Sequence, residues 1–218
     1  MLKADFHIHT KYSMDCSTAL EEIIARCQAT GINCINIADH DSVEGALQIQ
    51  GMAPFKVIVA EEILTPHGEI MGMFLKERIP SGISVEEAIS RIRAQDGLVC
   101  LPHPFDALRG LRLDSKKLAE LAPEIDVIEV FNARSLTYSH STQALAFAAK
   151  HRIPACAGSD AHTPGEIGST YVEMPEFTGK DDFLEALLDG KIHQHQSSPL
   201  VHFRSVFARV RKTFQSGK

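Results

Sequence analysis

Asp5-Phe6-His7-Ile8-His9-Thr10 sets two imidazoles two residues apart inside an apolar run close to the N-terminus. On a β-strand alternate side chains share a face, so His7 and His9 point the same way, roughly 7 Å apart at their Cα atoms, and one metal ion can take both. Alone, the pair reads equally well as two half-buried histidines satisfied by hydrogen bonds. The rest of the chain shifts that balance. Asp39-His40-Asp41, Glu61-Glu62, His103 and Asp160-Ala161-His162 each place metal-type ligands at the end of an apolar, strand-like run.

Working outward from this stretch, Lys3 to His9 is expected as the first strand. Thr18-Ala19-Leu20-Glu21 then opens a helix with a capping-box pattern that Gly31 stops after about Thr30. Asn33 to Ala38 predicts a second strand, with Ser42 capping a helix that carries Val43, Ala46 and Leu47. Lys56 to Ala60 repeats the plan with Glu61-Glu62 at its end. Glu69 to Leu75 follows the turn Thr65-Pro66-His67-Gly68 as a further strand, and Ser84 to Gln95 is an amphipathic helix. Leu98 to Leu101 ends at Pro102-His103-Pro104, and Phe105 to Asp114 reads as a loop carrying Arg109 and Arg112. Asp126 to Phe131 is a strand ending in Asn132-Ala133-Arg134, and Ser139 to His151 a helix. Pro154 to Gly158 leads into Ser159-Asp160-Ala161-His162. Thr170 to Met174 is the last strand, and Lys180 to Leu188 a helix closed by Gly190. Strands alternating with helices imply parallel βαβ units, and polar residues at the strand ends imply an α/β barrel with its site on that face.

The 218 residues fit one domain, with 44% hydrophobic and 23% charged residues, a globular composition without a disorder signature. A net charge of −6 disfavours a broad basic surface, so an anionic substrate would be held by metal ions and a few local arginines. The five cysteines, Cys16, Cys27, Cys34, Cys100 and Cys156, form no Cys-x-x-Cys pair and read as reduced core residues. No apolar run reaches membrane-spanning length and no signal peptide precedes the first strand, so the expected compartment is the cytoplasm. The barrel domain is expected over residues 1–198. Residues 199–218 are expected as a basic amphipathic helix or tail, with Phe203, Phe207, Val210 and Phe214 at helical spacing beside Arg204, Arg209, Arg211 and Lys212. Packing of these phenylalanines on the barrel is preferred over a membrane-surface helix.

In order along residues 5 to 162, these motifs resemble the polymerase and histidinol phosphatase (PHP) family of metal-dependent phosphoesterases. The matching stretches are Asp5 to Thr10, Gly31-Ile32 through Ala38-Asp39-His40-Asp41 with Gly45-Ala46, Glu62, His103-Pro104, and Ser159-Asp160-Ala161-His162. The resemblance implies a distorted seven-stranded (β/α)7 barrel with two or three divalent metal ions at the C-terminal strand ends, and phosphate ester hydrolysis. It makes His7, His9, Glu62 and Asp160 ligands of a first metal, with Glu62 bridging to a second that His103 also binds. Asp15, His40 and His162 are then the third site, with Asp15 standing where members often have histidine. Many members place a histidine for the second metal near Glu69. Here Glu69 is the choice and His67 the alternative. Of Glu61 and Glu62, adjacent on a strand, only one can enter the site, and Glu62 is the residue that aligns. His140, His151, His193, His195 and His202 are read as surface residues.

Imidazole and carboxylate ligands suit Zn²⁺, Mn²⁺ or Fe²⁺. The expected chemistry is attack on phosphorus by a metal-activated water, with no protein nucleophile. Catalytic roles fall to His40, Asp160 and His162, either histidine being placed to protonate the leaving alkoxide if its metal site is empty. Asp39 or Asp41 would orient a ligand histidine. Arg109, Arg112 and Arg134 are the candidate phosphate clamps, Arg134 first because it closes a strand beside the expected site and resembles a segment recurrent in shorter PHP members. The expected substrate is a small phosphate ester or nucleotide phosphomonoester rather than long nucleic acid. The competing readings are a nuclease or phosphodiesterase on the same core, an amidohydrolase, and a non-catalytic metal-stabilised interaction module, which would have lost ligands that this chain retains.

Overall fold

The computed structural model describes residues 1–106, 109–135 and 137–196. The strands are β1 (Leu2–Ile8), β2 (Cys34–His40), β3 (Lys56–Thr65), β4 (Gly68–Met73), β5 (Leu98–Leu101), β6 (Val127–Asn132), β7 (Ala155–Gly158), β8 (Tyr171–Met174) and β9 (Lys191–His193). They form one sheet in the order β7-β6-β5-β4-β3-β2-β1-β8-β9. The helices are α1 (Leu20–Thr30), α2 (Glu44–Met52), α3 (Val85–Ala94), α4 (Ser115–Leu121), α5 (Tyr138–His151) and α6 (Lys180–Leu188).

The barrel closes because the chain leaving β7 returns to the upper half of β1. Ala161 bridges Ile8 in parallel, the His9 amide donates to the Ala161 carbonyl at 2.9 Å, and the Ala161 amide donates to the His7 carbonyl at 3.2 Å. Gly158 makes this approach possible, since a Cβ there would stand 2.4 Å from the His7 Cβ. The lower half of β1, Leu2 to Ala4, instead pairs antiparallel with β8, and β9 extends that edge. Seven strands therefore enclose the core and two lie outside it. Along β1, Leu2, Ala4 and Phe6 join an inner cluster with Ile58, Met71, Cys100 and Phe131. Ile8 belongs to the outer cluster under the helices, with Ile35, Ile37, Val57 and Ile89. A register shift against β2 between Asp5 and Ile8 changes the alternation, and it turns His7 inward along with Phe6.

The expectation of uniformly parallel units fails at β4. Strand β3 does not end at Glu61-Glu62 but runs on to Thr65 and turns through a hairpin, so β4 lies antiparallel to both β3 and β5. The hairpin is favoured by Gly68 at φ +125° and by the Thr65 hydroxyl, which donates to the Gly68 carbonyl and accepts from the His67 amide. The cap of α1 also shifts by one residue. Ala19 is the N-cap, its amide donates to Glu22, and the Thr18 hydroxyl donates instead to the carbonyl of His162 at 2.9 Å. Ser84 caps α3 by accepting from the Glu87 amide, as its position before the helix suggests. Helix α4, capped by Asp114, and strand β9 have no counterpart in the sequence reading. No described helix is long and apolar enough to cross a membrane. The expected helix or tail at 199–218, and His202, lie outside the described residues.

Candidate metal centre

Inward-facing histidines and carboxylates from β1, β2, β3 and the segments after β5 and β7 meet at one end of the barrel. His7 Nε2 lies 3.1 Å from His9 Nε2 and 3.3 Å from Glu62 Oε2. Asp160 Oδ1 stands 3.3 Å from His9 Nε2 and 3.9 Å from His7 Nε2. His103 Nε2 is 3.0 Å from Glu62 Oε1 and 3.6 Å from Glu69 Oε2. His40 spans Glu62, 3.5 Å from its Nδ1, and Asp15, 3.6 Å from its Nε2, while His162 Nε2 is 3.1 Å from Asp15. These atoms form overlapping groups of a size one ion could occupy: His7, Glu62 and His103; His7, His9 and Asp160; His9, His40 and Glu62; and His9, Asp15 and His162. Two of the contributing residues, His103 at φ +24° and Asp160 at φ +53°, have left-handed backbone conformations that are costly outside glycine and that recur where a site needs a side chain re-aimed.

The donor set fits cations better than it fits itself. His7 Nδ1 is taken by Glu129 Oε1 at 3.1 Å, which leaves Nε2 to face another imidazole nitrogen across 3.1 Å. Burial and the neighbouring His162 push the His9 imidazole down to about 3, so it offers a lone pair rather than a proton. Asp160 Oδ1 is buried with no hydrogen-bond donor among the described residues. Burial opposes charge at Glu62, yet His7 and His40 hold its carboxyl well below the usual range. At Asp160 burial is likewise outweighed, by Arg109 and then His7. His7 and His40 show the complement. Burial would lower both, but Glu129 and Glu62 hold His7 well above its usual value, and Glu62 with Asp15 carries His40 to about 10. Buried imidazole nitrogens and carboxylate oxygens converging at these distances describe a metal-binding constellation.

Of the residues expected from sequence, His7, His9, Asp15, His40, Glu62, His103, Asp160 and His162 are brought together, and Glu69 borders them beside His103. Burial, and then the charge of Glu62, pushes Glu69 up to about 7. His67, its alternative, is exposed on the β3–β4 hairpin. Glu61 faces away from the site and accepts from the Ile79 amide at 2.7 Å. Asp39 does not orient a histidine. It accepts from the amide and hydroxyl of Thr10 at 2.5 and 2.6 Å, and Gly45 leaves room for that pair, a Cβ there standing 2.4 Å from both oxygens. Asp41 pairs instead with Arg78 at the surface. Among the arginines, Arg109 reaches the site, pairing with Asp160 and Asp106 while its side chain stays 27% exposed. Arg134 is only 4% exposed and donates to the Asp160 carbonyl at 3.4 Å, and Arg112 is exposed and joined to the His67 carbonyl through its backbone amide. His195 is exposed, whereas His140, His151 and His193 are half-buried, and His193 stacks on Tyr171 and pairs with Glu173.

Sequence reasoning missed Glu129 and Asn132. Glu129 Oε1 and Oε2 take His7 Nδ1 and the His103 amide, 3.1 and 2.9 Å away, and Asn132 Nδ2 donates to both oxygens. The only signal was a single acid inside the apolar run Val127-Ile128-Glu129-Val130-Phe131, which a buried strand tolerates only when the charge is used. Asp5, pushed up to about 6 by burial, ties β1 to the closing segment through the amides of Ser159 and Gly168.

A family model described as PHP domain matches residues 5–92, and a second described as PHP-associated matches residues 139–192. An uncharacterized protein of Methanocaldococcus jannaschii is 35% identical over 145 residues, 61% of this chain and 82% of that protein. The chain belongs to the PHP family. A two-domain protein of Bacteroides vulgatus, described as containing a predicted PHP-like metal-dependent phosphoesterase, shares the PHP fold at a TM-score of 0.73 and 18% identity over 89% of this chain. Endonuclease Q, solved with a 27-mer duplex carrying an abasic lesion, aligns at 0.62 and 19% identity over 85% of this chain. The chain spans 65% of the former protein and 56% of the latter. The fold is that of PHP-like metal-dependent phosphoesterases, and its histidine and carboxylate clusters are of the kind that bind divalent metals.

Proposed function

We propose that this chain hydrolyses small phosphate esters, with a nucleotide or metabolite phosphomonoester as substrate, using two or three divalent metal ions. The observation that carries this reading is the convergence of acceptor atoms from His7, His9, Glu62, His103 and Asp160 with a single partly exposed guanidinium, Arg109, at their edge. His7, His9, Glu62 and Asp160 would hold a first ion, Glu62, His103 and Glu69 a second, and Asp15, His40 and His162 a third. Bound there, Zn²⁺, Mn²⁺ or Fe²⁺ would polarise phosphoryl oxygens and lower the pKa of water.

The chain's own residues perform the remaining work. Arg109, held between Asp160 and Asp106 at the edge of the site, is a cation already positioned to share a hydrogen bond with a phosphate whose remaining charge the metal ions would neutralise. Arg134 positions the Asp160 segment from beneath rather than contacting substrate. His40, 3.5 Å from Glu62 and 3.6 Å from Asp15, would donate to the leaving oxygen only with two ions bound and the third place unfilled.

A nuclease is the second reading, favoured by the duplex DNA in the Endonuclease Q structure. Charge argues for small substrates, because tracking a strand needs a basic groove and this chain has 22 basic against 28 acidic residues. Metal analysis after reconstitution, followed by a hydrolysis screen over phosphomonoesters, diesters and oligonucleotides, tests the proposal. More than one ion per chain and turnover of phosphomonoesters with shallow salt dependence are expected. At most one ion, or processive cleavage of long strands with little activity on mononucleotides, would overturn it.

A further inference from the structure

A histidine that holds a metal through one ring nitrogen is steadied through the other, and two histidines of this site show such an anchor. His7 Nδ1 lies 3.1 Å from Glu129, and His162 Nδ1 donates to the Asp160 carbonyl at 2.9 Å. His103 differs. Its Nε2 faces Glu62 and Glu69, whereas its Nδ1 is buried and meets no hydrogen-bond partner among the described residues. Beside it lies a cavity of about 10 Å³, between the ends of β5 and β6 and the first turn of α5. That is room for about one water molecule. His140, at the third position of α5, lines the same cavity, and its Nδ1 too is buried without a partner among the described residues. Ser135 and Ser141 complete the polar part of the wall. His9, whose Nδ1 is also without such a partner, does not border this cavity. An apolar void stays dry, but one of this size between two orphaned ring nitrogens and two serines offers the roughly two to four partners that a held water needs.

We propose, on the reading that His103 holds the second ion, that one water in this cavity joins His103 Nδ1 to His140 Nδ1 and makes His140 a positioning residue of the metal centre. A metal on Nε2 leaves the ring proton on Nδ1, so His103 donates to the water and the water donates to His140. His140 then does for His103, through a water, what Glu129 does directly for His7: it fixes the plane of the ring and the nitrogen that faces the ion. The link also ties α5, which packs on β6, to a ligand that follows β5. A histidine whose place in the sequence suggests a surface residue thereby acquires a function, and its half-buried position agrees with that.

Stepwise Zn²⁺ affinity of the full chain, measured at pH 8 by competition with a chromophoric chelator, tests the positioning. His140→Phe keeps a ring in the wall but removes the acceptor, and it should weaken one binding step at least about tenfold, the step that His103→Ala removes, with the others within about twofold of wild type. His140→Asn, whose Oδ1 can stand in for Nδ1, should return that step to within about threefold of wild type. Equal losses in the two variants, losses spread over every step, or no loss in His140→Phe would overturn the proposal. The water is read separately, in a high-resolution crystal structure of the wild-type chain grown in EDTA, where it should lie within about 3 Å of both nitrogens. A dry cavity, a direct bond between the two imidazoles, or a water that reaches only one of them would overturn the link even if the variants fail to fold. A wild type that holds this water but binds no metal would instead refute the proposed function, and with it the role given to His140.

Discussion

Replacing Glu129 by glutamine should weaken metal binding although Glu129 is not itself one of the candidate ligands. Its two oxygens accept from three donors, His7 Nδ1, the His103 amide and Asn132 Nδ2, inside a strand that is fully buried. A glutamine keeps one acceptor oxygen and substitutes an NH₂ for the other. Whichever way the amide turns, it sets a donor against a donor, either at His7 or at His103. The lost negative charge also removes the first of the influences that outweigh burial at His7. Each hydrogen bond to a charged group contributes about 1.5–3 kcal/mol, so the apo protein should lose roughly 2–4 kcal/mol of stability. Disturbing a carboxylate that orients a ligand histidine typically costs about 10–100-fold in metal affinity. Competition with a chromophoric chelator measures that affinity, and chemical denaturation in EDTA measures the apo stability. Glu129→Asp, which keeps the charge but shortens the reach, should fall between wild type and the glutamine variant. If Glu129→Gln binds metal within about twofold of wild type while only its stability falls, Glu129 is a structural residue and the reasoning about His7 orientation fails.

Glu62→Gln should abolish turnover and lower the number of bound ions, whereas Glu61→Gln should retain both, and equal losses would remove the assignment of opposite strand faces. Burial pushes the Glu61 carboxyl up to about 7, above its usual 4.5, so ionising it in the folded state costs stability as pH rises from 4.5 through 7. Glu61→Gln, which keeps the Ile79 bond, should therefore gain in melting temperature over wild type at pH 8 in EDTA and show little difference at pH 4.5. A gain that grows toward acid would reverse the sign and refute the burial argument. The thiols of Cys16, Cys27 and Cys34 are pushed up to about 12 by burial, and all five cysteines are buried, so a disulfide reagent at pH 8 should find essentially none until denaturant releases five. Rapid modification of several thiols in the folded protein would contradict the core described here. Gly158→Ala should break barrel closure, because its Cβ would meet the Cβ and amide nitrogen of His7 at 2.4 and 2.6 Å, where backbone must move. A variant that folds and binds metal like wild type would show that β7 and β1 can separate without cost.

Much of the fold is local in origin and was readable along the chain. Leu98 to Leu101 and Lys180 to Leu188 are where their apolar pattern and flanking glycines put them, because short-range periodicity and stop signals depend only on neighbours in sequence. The ligand set was legible for a related reason. A histidine or carboxylate closing an apolar run is anomalous unless something uses it, and such residues do converge, whereas Asp15, in a loop, was legible only through the family resemblance. Three features required tertiary structure. The register shift in β1 that turns His7 inward depends on pairing with β2, not on the order of residues 5 to 8. The antiparallel placement of β4 follows from a hairpin whose Gly68 sits with its α-carbon near Gly110 and Leu111, a contact 42 residues away in sequence. Glu129, inside the apolar run of β6, and Arg134, just past its end, are charged residues whose partners the sequence does not show. The fold separates their roles by burying Glu129 between His7 and His103, enclosing Arg134 below Asp160, and leaving Arg109, on a loop with no periodicity to read, as the cation that reaches the site from its open side. Sequence carries the chemistry each residue can perform, but which groups meet, and which of them water can reach, is set by packing between segments far apart in the chain.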